Sequence, residues 1–124
     1  MTVPILRQGE VLIASMQAAL SDDALVQLRD DLAEAVGSSR ARAVIIDVTA
    51  LDVLDSFASR TIRGIAYAAR LRGAKTVVVG IQPDVAFAMV QLGLTLEGVP
   101  TALDLEEGLA LVSEGLPGGR RHGP

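Results

Sequence analysis

The chain has 124 residues, no cysteine, half hydrophobic residues and only 2% aromatic ones, and it carries a net charge of −4. This composition fits one domain with an aliphatic core, and it excludes disulfides, thiolate zinc sites and cysteine nucleophiles. The acidic balance and the few aromatics argue against a nucleic-acid partner, and the absence of an apolar run of roughly 20 residues argues against a membrane helix, so we expect a cytoplasmic protein.

The first half of the chain alternates strand and helix patterns. "PILRQG" and "EVLIASM" predict a hairpin around Gln8-Gly9. "SDDALVQLRDDLAEAVGSS" predicts an amphipathic helix that Ser21 caps and Gly37 stops. Its inward positions are Leu25, Leu28, Leu32 and Val36. "RAVIIDV" is nearly continuous in apolar residues, which is typical of a strand covered on both faces.

The second half repeats the alternation. A helix is predicted from Ser56 to Gly73, "AKTVVVG" is a buried strand, and Pro83 begins a third helix. That helix is expected to turn Val85, Ala86, Met89, Val90 and Leu92 inward. Phe87 falls outside this stripe and is either core or a contact for another subunit. "GVPTAL" predicts a short edge strand, and "DLEEGLALVSEG" predicts a last helix capped by Asp104.

This order of elements predicts an α/β fold. We expect a mixed, mostly parallel sheet with an N-terminal antiparallel hairpin and about four helices. Residues 1–114 form the predicted single domain. Residues 115–124 are predicted to be a disordered tail that is rich in basic residues and glycine.

The stretch "DVTALDVLDSFASRTIRG" joins a strand to a helix and concentrates the polar chemistry of the chain. His122, the sole histidine, lies in the tail, so Ser56 lacks the base that a hydrolytic nucleophile needs. The chain has neither of the common phosphate-binding glycine motifs, so no nucleotide cofactor is expected. Asp47, Asp52 and Asp55 are suited to Mg²⁺ by chemistry, but capping of turns and helices is the commoner role of such acids. We therefore predict no metal site and no enzymatic activity.

The helix start at Ser56 is suited to a phosphate. Free backbone N–H groups and the positive end of the helix dipole favour an anion there, and Arg60 and Arg63 are expected to approach it. A plain N-cap is the competing interpretation, and Ser59 or Thr61 are alternative hydroxyls for modification.

Three segments resemble one family. "VIIDVTALDVLDSFASRTI", "RGAKTVVVGIQPDVAFAMVQLGL" and "TALDLEEGL" resemble the STAS domain family of bacterial anti-sigma-factor antagonists, most closely its RsbS-type stressosome scaffold branch. The resemblance runs from about Pro4 to Val112. It implies a STAS fold over residues 1–114 and phosphorylation of Ser56 by a partner kinase.

The resemblance also implies partners. We expect a switch-type serine/threonine kinase, which leaves after phosphorylating Ser56, and sensor-bearing STAS paralogues that join this chain in a large homo- or hetero-oligomer. The expected partner-binding residues are Asp47, Thr49, Asp52, Asp55, Phe57 and Arg60. Because the chain begins at its first strand, we expect a scaffold subunit without a sensor domain. The alternative is a STAS module that binds a small ligand or nucleotide, or a subunit of a transport system.

Overall fold

The computed structural model describes residues 3–17 and 20–114. The strands are β1 (Ile5–Gln8), β2 (Val11–Ser15), β3 (Ala43–Asp47), β4 (Lys75–Val79) and β5 (Thr101–Ala102). The helices are α1 (Asp22–Ser39), α2 (Ser56–Leu71), α3 (Pro83–Gln91) and α4 (Leu105–Ser113). The predicted tail and the predicted domain boundary at its start lie outside the described residues.

The five strands form one sheet whose spatial order follows the chain order. β1 and β2 pair antiparallel as a hairpin, and the pairs from β2 to β5 are parallel. The predicted fold class is therefore confirmed. Right-handed crossovers that always advance in one direction pass over the same face of the sheet, which places α1, α2 and α3 together. Only α4, which follows the last strand, covers the opposite face.

Alternate residues of the central strands serve two separate cores. One set packs with α1, α2 and α3, including Val44, Ile46 and Val78. The other set, including Ile45 and Val79, packs with α4. Successive side chains of a strand point to opposite faces, so covering both faces requires an apolar residue at nearly every position. The run "RAVIIDV" has this pattern because β3 lies at the centre of the sheet.

The first helix does not stop at Gly37. α1 continues to Ser39, and Arg40 ends it in the left-handed conformation, with its N–H donating to the carbonyl of Val36. Gly37 instead lies inside the helix, where the guanidinium of Arg72 from the end of α2 occupies the space that a Cβ would fill. The glycine therefore permits a close contact between α1 and the end of α2.

The third helix buries fewer residues than predicted. Of its expected inward set, Val85 and Met89 are buried, whereas Ala86, Val90 and Leu92 are exposed. A helix of nine residues that packs on the core along one stripe leaves its remaining faces in solvent. Phe87 is exposed, so its interpretation as a core residue is wrong. No helix among the described residues has the length and apolar character to span a membrane.

Candidate functional site

The loop after β3 is ordered by its own side chains. Asp47 ends the strand, and its Oδ1 accepts hydrogen bonds from the backbone N–H of Thr49 at 2.9 Å and from the Thr49 hydroxyl at 2.6 Å. The N–H of Leu51 donates to the carbonyl of Val48 at 3.0 Å, which closes the following turn. Leu51 and Leu54 are buried and hold the loop against the core. The loop therefore has a defined path to the start of α2.

A second loop, which follows β4, locks the first. Gln82 donates from Nε2 to the carbonyl of Thr49 at 2.6 Å. Gly80 lies directly beneath Thr49 with φ +83°, and a Cβ on it would overlap the Thr49 side chain and reach within 3.1 Å of the Thr49 Cα. Only glycine combines this backbone conformation with this close approach. The assigned site residues did not include Gly80 or Gln82, although the segment "GIQP" was part of the pattern that carried the resemblance.

Asp55 rather than Ser56 caps α2. Its Oδ1 accepts a hydrogen bond from the N–H of Ala58 at 2.8 Å, and its carbonyl accepts one from the N–H of Ser59 at 2.9 Å. Ser56 is then the first residue of the helix. The N–H groups of Ser56 and Phe57 have no intrahelical acceptor at this position, so their partial positive charge faces outward.

Burial separates the three candidate hydroxyls of α2. Ser56 is exposed, whereas Ser59 is 1% and Thr61 is 7% exposed. The hydroxyl of Thr61 also donates to the carbonyl of Phe57 at 2.8 Å. A kinase can phosphorylate only a hydroxyl that is accessible at the protein surface. Of these three hydroxyls, only that of Ser56 is accessible without unwinding of the helix. Its phosphorylation stays a prediction.

The exposed surface beside Ser56 is both acidic and apolar. Thr49, Asp52, Asp55 and Arg60 are exposed, whereas Asp47 and Phe57 are half-buried. The guanidinium of Arg60 lies 5.9 Å from the centroid of the Phe57 ring, which is a cation–π geometry. Val53, which was not predicted as a site residue, is 60% exposed in the same loop. We name the exposed surface formed by Thr49, Asp52, Val53, Asp55, Ser56 and Arg60 the Ser56 surface.

One sequence expectation changes at this surface. Arg63 donates to the carbonyl of Thr95 at 2.7 Å, so its guanidinium is directed to the loop after α3 and not to Ser56. Of the three acids that are suited to Mg²⁺ by chemistry, Asp47 and Asp55 have structural partners, Thr49 for Asp47 and Ala58 for Asp55. Within residues 3–17 and 20–114, no group of three or more His, Asp or Glu converges as a metal site.

The family model of the STAS domain matches residues 2–108. The chain belongs to the STAS domain family. It is 33% identical, over 88 residues and 71% of its length, to the RsbT co-antagonist protein RsbRA of Bacillus subtilis (strain 168). The chain spans about a third of the length of that relative, since the match covers 32% of it.

Solved structures agree with this assignment. A serine-to-glutamate variant of RsbS from Moorella thermoacetica superposes with a TM-score of 0.76 at 32% identity, covering 89% of this chain and 93% of that one. A chain from the molecular architecture of the stressosome superposes with a TM-score of 0.71 at 30% identity, covering 88% and 95% of the two chains. Together these relatives support a regulatory protein of the STAS type.

Proposed function

We propose that this STAS domain is a non-catalytic stressosome scaffold subunit that captures a serine/threonine kinase and releases it when Ser56 is phosphorylated. The observation that carries the proposal is the exposed hydroxyl of Ser56 at the first position of α2, on loops fixed by hydrogen bonds. A partner that docks there meets a surface whose shape does not have to be organised on binding. Preorganisation of this kind reduces the entropic cost of association.

The domain itself tolerates a phosphate at Ser56. The first N–H groups of α2 and the positive end of its dipole offset part of the added charge. Leu51 and Leu54, which hold the loop against the core, are buried. A phosphate on the exposed Ser56 side chain therefore does not have to displace them. Phosphorylation is therefore expected to change the surface while leaving the fold intact.

A docked partner does not tolerate the same phosphate. Val53 offers apolar area next to Ser56, and Asp52 and Asp55 already make the surface negative. A phosphate adds about −1.5 to −2 charges, which a closed interface must strip of water. Repulsion from nearby acids and the cost of desolvation then both oppose the complex. This accounts for release of the kinase without a conformational change in the scaffold.

The relatives support the same direction. RsbRA is named as a co-antagonist of RsbT, and the stressosome structure describes a signal integration and transduction hub. We propose that this chain likewise assembles with paralogous STAS proteins in a large cytoplasmic complex, and that the captured kinase is of the switch type.

The test is phosphorylation by the partner kinase with radiolabelled ATP, followed by mapping of the modified peptide. Ser56→Ala is expected to abolish labelling. Ser59→Ala is the matched control. It removes a buried hydroxyl of the same helix, and that hydroxyl is expected to stay unmodified. Undiminished labelling of the Ser56→Ala protein removes Ser56 from the mechanism.

Capture is tested separately from modification. Pull-down of the kinase by Ser56→Asp is expected to fall at least tenfold relative to the unmodified protein, since the substituted side chain carries a fixed negative charge into the interface. Ser56→Asn is the control of similar size without the charge. If both variants retain as much kinase as the parent protein, negative charge at Ser56 does not release the kinase. That result would contradict the release mechanism even if Ser56 is phosphorylated.

A further inference from the structure

A cavity of about 450 Å³ lies at the end of the sheet opposite Ser56. It opens between the C-terminal half of α2, the start of β4 and the loop before β5. Its lining residues are Arg42, Ala66, Arg70, Gly73, Ala74, Lys75, Thr76, Gly98 and Pro100. This volume lies within the range of roughly 300 to 1,000 Å³ that small-molecule sites occupy. We name it the amino-end cavity, because it lies where β3 and β4 begin.

Cations from three elements line this cavity. Arg42 precedes β3, Lys75 begins β4, and the N–H of Lys75 donates to the carbonyl of Arg42 at 3.1 Å, so the two residues are fixed side by side. Arg70 lies in the last turn of α2 with its guanidinium 5.5 Å from the ring centroid of Tyr67. Over the described part of the chain, the one ion pair within 4 Å joins Arg29 and Asp30. The cations of the cavity therefore have no carboxylate partner there.

Thr76 adds an independent observation. The residue is 4% exposed, and its Oγ1 is buried without a hydrogen-bond partner among the described residues. By strand alternation its side chain shares a face with Val78, which packs beneath α2 on the side where Ala66 and Arg70 line the cavity. A buried hydroxyl without a partner costs roughly 1 to 3 kcal/mol. A ligand oxygen in the cavity would relieve that cost.

Helix electrostatics explain only part of this arrangement. Arg70 near the C-terminus of α2 complements the negative end of the helix dipole. Neither Arg42, which precedes a strand, nor the unpartnered hydroxyl of Thr76 has that explanation. Two guanidinium groups and a hydroxyl donor suit a group with several oxygen atoms and two negative charges, and the alanines and Pro100 provide apolar walls.

We propose that the amino-end cavity binds a small phosphorylated molecule, with Arg42 and Arg70 holding the phosphate and Thr76 donating a hydrogen bond to it. The site is independent of the Ser56 surface, and it does not depend on the function proposed there. The ligand carries one phosphate group and a compact, partly apolar remainder, because alanine, glycine and proline make up most of the remaining lining, to which Lys75 adds one further cation.

The test is isothermal titration calorimetry of the full chain with glycerol 3-phosphate at physiological ionic strength. We expect saturable binding with one site per chain. Arg42→Gln and Arg70→Gln are each expected to weaken binding at least tenfold, as the loss of a charge-assisted contact does. Arg72→Gln is the matched control, because Arg72 belongs to the same end of the domain but packs against Gly37 outside this cavity. Its effect is expected to stay below about threefold under salt screening.

Thr76→Val tests the hydroxyl with little change in shape. It is expected to weaken phosphate binding about fivefold while raising the thermal midpoint of the unliganded protein, two opposite effects that a purely structural threonine would not produce. Ser56→Asp is expected to leave binding unchanged, which separates this site from the kinase surface. The proposal is overturned by the absence of saturable binding at millimolar ligand, or by equal losses in the Arg72 and Arg42 variants. A phosphoserine peptide that binds more tightly than glycerol 3-phosphate overturns the small-molecule assignment.

Discussion

The two ends of the sheet are constructed differently. At the carboxyl end, side chains fix the backbone: Asp47 holds Thr49, Gln82 joins two loops, and Asp55 caps a helix. At the amino end, backbone hydrogen bonds fix the loops, such as those from Arg42 to the carbonyl of Glu10 and from Lys75 to that of Arg42. The side chains of Arg42 and Lys75 have no carboxylate partner among the described residues, so they are available to other partners.

Charge follows the same division. Helices α1, α3 and α4 begin at the carboxyl end with acids in their first turns, and the loop before α2 adds more. Five cations collect at the amino end, where α1 and α2 finish: Arg40, Arg42, Arg70, Arg72 and Lys75. An ordered, acidic and partly apolar surface suits a protein partner, whereas a cationic cavity suits a small anion. This contrast is the basis for proposing two separate sites on one small domain.

The largest expected change in stability comes from a glycine at the carboxyl end, compared with a glycine at the amino end. Gly80→Ala is expected to lower the free energy of unfolding by about 3 kcal/mol, because it combines an unfavourable φ of +83° with overlap onto Thr49. Gly73→Ala is the matched control at the amino end, with φ +91° and nothing within 4 Å of the added Cβ. Backbone strain alone predicts a loss of about 1 kcal/mol there. Urea unfolding of both variants measures the difference, and equal losses would contradict the close packing of Thr49.

The next effect tests whether Asp47 organises the carboxyl end. Asp47→Ala removes the acceptor of two hydrogen bonds and is expected to cost about 2 kcal/mol of unfolding free energy. Asp47→Asn retains an oxygen acceptor and is expected to cost less than half as much. Hydrogen exchange of the Thr49 amide follows the local order directly. If that amide exchanges equally slowly in the parent and in Asp47→Ala, the carboxylate does not hold the turn.

Periodicity was sufficient for the fold. Leu25, Leu28, Leu32 and Val36 predicted the buried face of α1, and the continuous apolar run of β3 predicted a strand covered on both faces. Both predictions are confirmed. Prediction from local sequence was wrong where one residue type has two common roles. Gly37 suggested a helix end, but its role is to accommodate Arg72, a contact 35 positions away along the chain. Such a contact depends on how helices pack and leaves no mark in a local pattern.

The candidate site was only partly predictable for the same reason. The helix start at Ser56 and the strand end at Asp47 are local features, and the structure places both at the carboxyl end of the sheet. Gln82 lies 33 residues from Thr49, whose carbonyl it binds, so only the parallel pairing of β3 with β4 brings them together. The amino-end cavity likewise requires α2, β4 and the loop before β5 at once.

A smaller loss of stability is expected at Asp55, where variants can separate helix capping from partner binding. Asp55→Ala is expected to cost about 1 kcal/mol, the usual loss for an N-cap. Asp104→Ala removes the corresponding cap of α4, which accepts a hydrogen bond from the N–H of Glu107 at 2.9 Å, and is expected to cost a similar amount. Only the Asp55 variant is expected to alter capture of the kinase. Asp55→Asn keeps the cap and removes the charge, so weakened capture with normal stability would assign Asp55 to the partner interface.

The smallest effect concerns the two buried hydroxyls that lack a partner in the described structure, Ser59 in α2 and Thr76 in β4. Thr76→Val is expected to raise the free energy of unfolding by about 0.5 kcal/mol, because it removes a buried hydroxyl without a partner and keeps the shape of the side chain. Ser59→Ala is expected to give a gain of similar size, since alanine also favours the helix. Chemical denaturation measures both gains. Saturating glycerol 3-phosphate is expected to reverse the order of stability between Thr76→Val and the parent protein, while Ser59→Ala keeps its advantage. Unchanged order with ligand bound would mean that the Thr76 hydroxyl contributes nothing to the amino-end cavity.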